Sequence, residues 1–217
     1  MRESLAPPSV RHRMQSPHHR TQNPHDLDHL LEAIRGCRLC KDLPLGPAPI
    51  VQGSVKARIL IAGQAPGRIT HHKGIPFDDP SGERLRRWLG VDRITFYNPD
   101  IFAVVPMGFC FPGTAQSGDL PPRPECAATW HTQLLPQFNG LQLKLLIGGY
   151  AQAWHLKLPR STSVTECVQN WRTSWPHTVP LPHPSPRNTR WLKTHSWFEE
   201  TLVPMLQARI QHILSST

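Results

Sequence analysis

The stretch Arg58-Ile59-Leu60-Ile61-Ala62, running straight into Gly63-Gln64-Ala65-Pro66-Gly67, constrains this chain more than any other part of it. A short run of β-branched and leucine residues ending in a glycine-rich turn is the pattern of a buried parallel strand opening into a loop. Ligands in open α/β sheets bind beyond the carboxyl ends of such strands. The turn 63–67 is therefore predicted to line a site.

The same pattern recurs along the chain. Leu27, Leu30, Leu31 and Ile34 fall at helical spacing, with Asp26 placed to cap the start and Gly36 to end it. Residues 81–89 read as a helix with Leu85, Trp88 and Leu89 on one face, and 102–105 as a second strand. Residues 106–126 are rich in proline and glycine and read as a long structured loop, a length that is usually functional or disordered. A helix near 127–136, a strand over 143–148, a helix from Ala151 to Leu156, a short strand from Val179 to Leu181 and a closing helix from Phe198 to Leu214 complete the series. Strands alternating with helices predict an α/β fold with a parallel sheet. Residues 25–217 read as one domain and residues 1–24 as a basic, disordered tail.

The chain has 217 residues and a formal net charge of +9, which favours a polyanionic partner, nucleic acid first. No apolar run reaches the roughly 18 residues of a membrane span. The basic amino terminus has no apolar core of a secretory signal, so a cytoplasmic, intracellular setting is expected, where stable disulfides are unusual. The five cysteines then need another explanation. Cys37 and Cys40 form C-x2-C, Cys110 and Cys126 form C-x15-C, and Cys167 is left over as a buried helical thiol. Four thiolates from a turn and a long loop can hold zinc or an iron–sulfur cluster, and ligand type alone does not choose between them. The other possibility is four unlinked buried thiols.

Near the other end, His183-Pro184-Ser185-Pro186 sets one histidine in a proline frame that aims its ring. With Gly63 to Gly67, this stretch resembles motifs A and B of the uracil-DNA glycosylase superfamily. The order C-x2-C, motif A, C-x15-C, HPSP is similar to that of its iron–sulfur (family 4) branch, and Gly74-Ile-Pro-Phe77 resembles that branch's G-R-P-F. Asp79-Pro80-Ser81-Gly82 resembles the D-x-S-G of the type B (family 5) branch. The likeness spans about residues 30–210 in order. It implies a three-layer α/β/α fold with a central, mostly parallel four-stranded sheet. It also implies a structural [4Fe–4S] cluster on Cys37, Cys40, Cys110 and Cys126, with zinc as the alternative. The implied activity is removal of uracil or another deaminated base from DNA in base-excision repair, by a monomer.

Three positions depart from the family 4 pattern. Gln64 stands where motif A carries a glutamate, and an amide cannot act as a base. Pro106 stands where family 4 reads the base with an asparagine, and Arg187 where a leucine often follows HPSP. His183, Asp79 and Gln64 are the candidate catalytic residues. Gly63, Ala65, Gly67, Phe77, Ser185 and Arg187 are the candidate substrate contacts.

Each of these residues also has a plainer reading. His183 either donates to a developing oxyanion or is a loop histidine satisfied by backbone. Asp79 either acts on the water and the cationic sugar or caps the helix at Ser81. Gln64 either positions a water or base edge or merely belongs to a tight turn. Phe77 either stacks on the base or packs in the core. Arg84, Arg86 and Arg87 read as surface charges, and Arg187, Arg190, Lys193 and His195 as a basic stretch facing phosphate or solvent. Trp88, Trp154, Trp171, Trp191 and Trp197 read as packing residues. No motif lysine is placed for Schiff-base chemistry, so a monofunctional hydrolase is expected. A non-catalytic nucleic-acid binder and a small-molecule hydrolase on the same fold are the competing classes.

Overall fold

The structure, a computed structural model, describes residues 24–116 and 118–216. The tail 1–24 thus lies outside the described residues, except that Pro24 already opens the first helix.

Helix α1 (Pro24–Arg35) buries Leu27, Leu31 and Ile34 on one stripe. Asp26 lies inside its first turn rather than capping it, where its charge meets the positive end of the helix dipole. Strand β1 (Ile59–Ala62) is followed by α2 (Arg68–Lys73), α3 (Pro80–Leu89), α4 (Arg93–Phe96) and β2 (Phe102–Val104). The long loop then folds its tip into a small antiparallel hairpin, β3 (Thr114–Ala115) and β4 (Gly118–Asp119). A helical stretch α5, residues 124–137, begins three residues before its expected start and contains a π-helical turn at Ala127–His131. Next come β5 (Leu143–Ile147), α6 (Gly148–Leu156), α7 (Val164–Gln169), β6 (Thr178–Leu181), α8 (Thr189–Thr194) and α9, residues 198–215.

The sheet order is β2-β1-β5-β6, and every pairing is parallel, not merely most of them. All four residues of β1 are buried because both faces of the strand are covered. Ile59 and Ile61 point into the larger core with Phe102, Leu145, Val179 and the helices α3 and α9. Leu60 points to the opposite core with Ala103, Phe109, Phe138 and helix α1. This alternation makes the three layers: helices, sheet, helices. The chain runs outward from β1 to β2 and then returns to β5 on the other side of β1. Such a reversal of direction opens a crevice at the carboxyl ends of the strands.

The short helices α2, α4, α7 and α8 escape a periodicity reading because each is only four to six residues long. Side-chain caps mark two of them: Asp92 accepts from Thr95 N–H and Ser163 from Glu166 N–H.

Candidate active site

The loops that leave β1 and β6, the segment before α3 and the β3–β4 hairpin enclose one cavity of about 570 Å3. Gly63, Gln64, Ala65, Gly67, Phe77, Asp79, His183, Ser185 and Arg187 all line it. Its size falls in the range of small-ligand pockets.

His183 leaves β6 between buried Pro182 and Pro184. Its Nδ1 accepts the Ser185 backbone N–H at 3.1 Å, and its carbonyl accepts Asn188 Nδ2–H at 2.7 Å. With Nδ1 occupied as an acceptor, the proton of the neutral ring sits on Nε2. Burial holds the imidazole below its ordinary pKa, against the opposing pull of the Asp79 and Asp119 charges. The loop is pinned from α3, where Arg84 donates to the Ser185 carbonyl at 2.8 Å and to Thr189 Oγ1 at 3.3 Å. Arg84 is therefore not a plain surface charge. Neither is Arg86, which donates to the Phe77 carbonyl at 3.2 Å and lies over the Phe96 ring.

Phe77 is held in the left-handed region, with φ of 54°, which a bulky residue adopts only when its surroundings compel it. A Cβ on Gly82 would sit 1.7 Å from the Phe77 carbonyl oxygen, so glycine is what lets helix α3 start against that turn. The Phe77 ring packs edge-on to Phe96 at 6.3 Å, and its tip is 3.8 Å from where a Cβ on Gly63 would stand. Core packing on one side and a cavity wall on the other are both served by this ring.

Asp79 caps α3, its Oδ1 accepting Gly82 N–H at 2.8 Å, and also lines the cavity. Its neighbour Asp78 pairs with Arg93 at 2.6 Å and Lys73 at 3.2 Å, which holds its carboxyl below the usual carboxylate range. Gln64 reaches across the cavity, and its Nε2 donates to the Leu120 carbonyl at 2.8 Å and the Asp119 carbonyl at 3.3 Å. The amide nitrogen is thus held by the hairpin, and the amide oxygen is its remaining polar group. The hairpin also meets Arg187, whose guanidinium would lie 3.5 Å from a Cβ on Gly118. Asp119 completes the wall. Nothing in its local sequence marked it, because it reaches the site only through the hairpin.

Pro106 lines the cavity where a base-reading amide was expected, and its carbonyl accepts from the fully buried His131 Nε2 at 3.1 Å. Of the basic stretch after His183, Arg190 and Lys193 are exposed, but His195 stacks on Trp191 at 4.4 Å and bonds its carbonyl. Trp88 and Trp171 are buried, as packing residues should be, whereas Trp154 is 42% exposed over a second, apolar cavity between α5 and α6.

Cys37 and Cys40 follow α1, Cys110 lies in the loop after β2, and Cys126 is in the first turn of α5. None is in a disulfide. Burial pushes Cys110 up to about 11 and also raises Cys126 and Cys40. Cys110 is raised further by the charges of Cys126, Cys37 and Cys40, so the four sulfurs stand within electrostatic reach of one another. Among the described residues, no three His, Cys, Asp or Glu side chains converge tightly enough to chelate a single ion. As a donor set, four thiols suit zinc and an iron–sulfur cluster alike. Cys167 is a buried helical thiol on α7, apart from these four.

Among the described residues, no helix is long and apolar enough to cross a membrane. A family model of the uracil DNA glycosylase superfamily matches residues 50–207, which span the whole sheet and every residue lining the cavity, but not Cys37 and Cys40. With that match over most of its length, and with the cavity at the carboxyl ends of a parallel sheet, the chain belongs to the uracil DNA glycosylase superfamily.

Proposed function

We propose that the protein is a monofunctional DNA glycosylase that hydrolyses the N-glycosidic bond of uracil or another deaminated base and leaves an abasic site. The observation that carries this reading is the fixed tautomer of His183. Ser185 N–H on Nδ1 leaves Nε2–H as the donor of a ring that lines the cavity. As the bond from C1′ to the base nitrogen breaks, the bonding pair leaves with the base and builds charge on its carbonyl. One preorganised donor to such an oxyanion is worth about 3 kcal/mol.

The target base must first leave the helix stack, because its glycosidic bond is otherwise shielded. Phe77 offers the ring against which it stacks. Asp79, its carboxylate fixed by the cap of α3, is an anion for the cationic sugar. Arg187, exposed at the rim, meets the phosphate backbone. With Pro106 offering no side-chain hydrogen bond, uracil is not read as an asparagine would read it, and the reading extends to hypoxanthine and xanthine. Cys37, Cys40, Cys110 and Cys126 would hold a [4Fe–4S] cluster, whose chemistry here is structural, tying α1 to the loop and α5.

The test is alkali-induced strand cleavage of labelled single- and double-stranded DNA carrying uracil, hypoxanthine or xanthine. Cleavage by the protein, lost in His183→Ala, is expected. DNA binding with no cleavage of any substrate would replace this reading by the non-catalytic binder that Pro106 favours. For the metal site, anaerobically purified protein is expected to carry iron and acid-labile sulfide with broad visible absorbance. A colourless, zinc-bearing protein would remove the cluster and leave the fold.

A further inference from the structure

Resting on the glycosylase reading, we propose that Asp119 is the carboxylate that takes the proton from the attacking water, and that Gln64 is the positioning residue that seats it. Motif A carries no acid in this chain, yet hydrolysis needs an acceptor for a water proton. Two carboxylates line the cavity, Asp79 and Asp119, and Asp78 directly precedes the first of them. Asp78 is neutralised by Arg93 and Lys73. Asp79 gives Oδ1 to the Gly82 N–H. Asp119 lines the cavity, and among the described residues its carboxylate enters no ion pair or hydrogen bond. An uncommitted acceptor at the wall is what a general base requires.

Its placement is specific. Asp119 Oδ2 lies 3.6 Å from where a Cβ on Gly67 would stand, so the carboxylate rests against the motif A turn itself. The Gln64 amide holds the Asp119 and Leu120 carbonyls. A glutamate at position 64 has no N–H to do this. The two positions are thus chemically paired: the turn residue carries the donor, and the hairpin it holds carries the acid. The charged and titratable groups sharing the cavity with Asp119 are Asp79, His183, Arg68 and Arg187.

In the step itself, the water oxygen bonds to C1′ and the bond from C1′ to the base nitrogen breaks, its electron pair leaving with the base. The water proton passes to Asp119. It then moves to the departed base, so that one water is consumed and a neutral free base and an abasic sugar are released.

The experiment is single-turnover cleavage of the best substrate across pH, with Asp119→Asn, Asp119→Glu, Gln64→Ala and wild type compared. DNA affinity and the imidazole titration of His183, followed by NMR, are measured on the same proteins. Asp119→Asn is expected to lose about 10²–10⁴-fold in rate, to keep or tighten DNA binding, and to lose the acid limb of the wild-type profile. Asp119→Glu should recover part of the rate, and Gln64→Ala should fall between wild type and Asp119→Asn. The His183 imidazole should titrate lower in Asp119→Asn. An Asp119→Asn protein within about twofold of wild type overturns the proposal and leaves the glycosylase reading standing. A wild type that cleaves no substrate overturns the glycosylase reading and the catalytic role of Asp119 with it.

Discussion

His183 and Asp79 show how one side chain can satisfy a structural and a chemical demand together. The backbone does satisfy His183, but only at Nδ1, and that bond is what leaves Nε2–H to donate. Asp79 does cap α3, but it also lines the cavity. The two roles of Asp79 separate in Asp79→Ser, since serine caps nearly as well as aspartate but carries no charge. The melting temperature is expected to stay close to wild type in Asp79→Ser and to fall by the equivalent of about 1 kcal/mol in Asp79→Ala. Single-turnover cleavage should fall in both. Equal cleavage by Asp79→Ser and wild type would leave Asp79 as a cap alone. Arg84 is the third case, invisible in sequence as anything but a basic residue on a helix. Arg84→Ala releases a charge-assisted hydrogen bond worth about 1.5–3 kcal/mol to the loop that aims His183. The expected signature is a lower kcat with DNA affinity nearly unchanged.

Among the elements, the junction between the Phe77 turn and α3 is the tightest contact around the site. A methyl group on Gly82 would meet the Phe77 carbonyl at 1.7 Å, a separation no side-chain adjustment can relieve because both partners are backbone or Cβ. Gly82→Ala is therefore expected to lower stability by roughly 2–3 kcal/mol or more and to displace the Phe77 ring. Denaturant unfolding and cleavage kinetics on the same protein would show both, and wild-type stability in Gly82→Ala would contradict this packing. The cysteine lobe is a second element-scale unit, in which α1, the loop after β2 and α5 share one hydrophobic core. On the cluster proposed for Cys37, Cys40, Cys110 and Cys126, Cys40→Ser is expected to bind less iron than wild type and to open first in this lobe, read by hydrogen exchange in α1.

For the molecule as a whole, the histidines held below their ordinary pKa by burial are expected to set how stability responds to acid. Burial, then the charges of His131 and Lys144, lowers His155 from 6.5 to about 4, and burial also lowers His131 and His183. Below pH 6.5 the unfolded chain binds protons that the folded chain does not accept until about 4, so stability rises with pH through this window and falls as pH drops through it. The unfolding free energy should decline over that interval, and His155→Leu should flatten the decline. An equally steep decline in His155→Leu would assign the acid sensitivity elsewhere. The net charge of +9 makes a second whole-molecule expectation: DNA affinity should fall linearly with salt on logarithmic axes, by about 0.9 per phosphate neutralised.

Strands β1, β2, β5 and β6 and the turns that follow β1 and β6 were determined by the sequence alone, because buried parallel strands and their punctuation are local patterns. So were nine residues of the cavity wall, through the two turns and the segment between Phe77 and Gly82. The identity of the uncommitted carboxylate was not local. Gln64 and Asp119 are 55 residues apart, and Arg84 and Ser185 are 101 apart. Sheet order decides which loops meet over the cavity, and a side chain's role depends on which of its polar atoms a distant backbone has already claimed. That accounting of donors and acceptors exists only once the chain is folded.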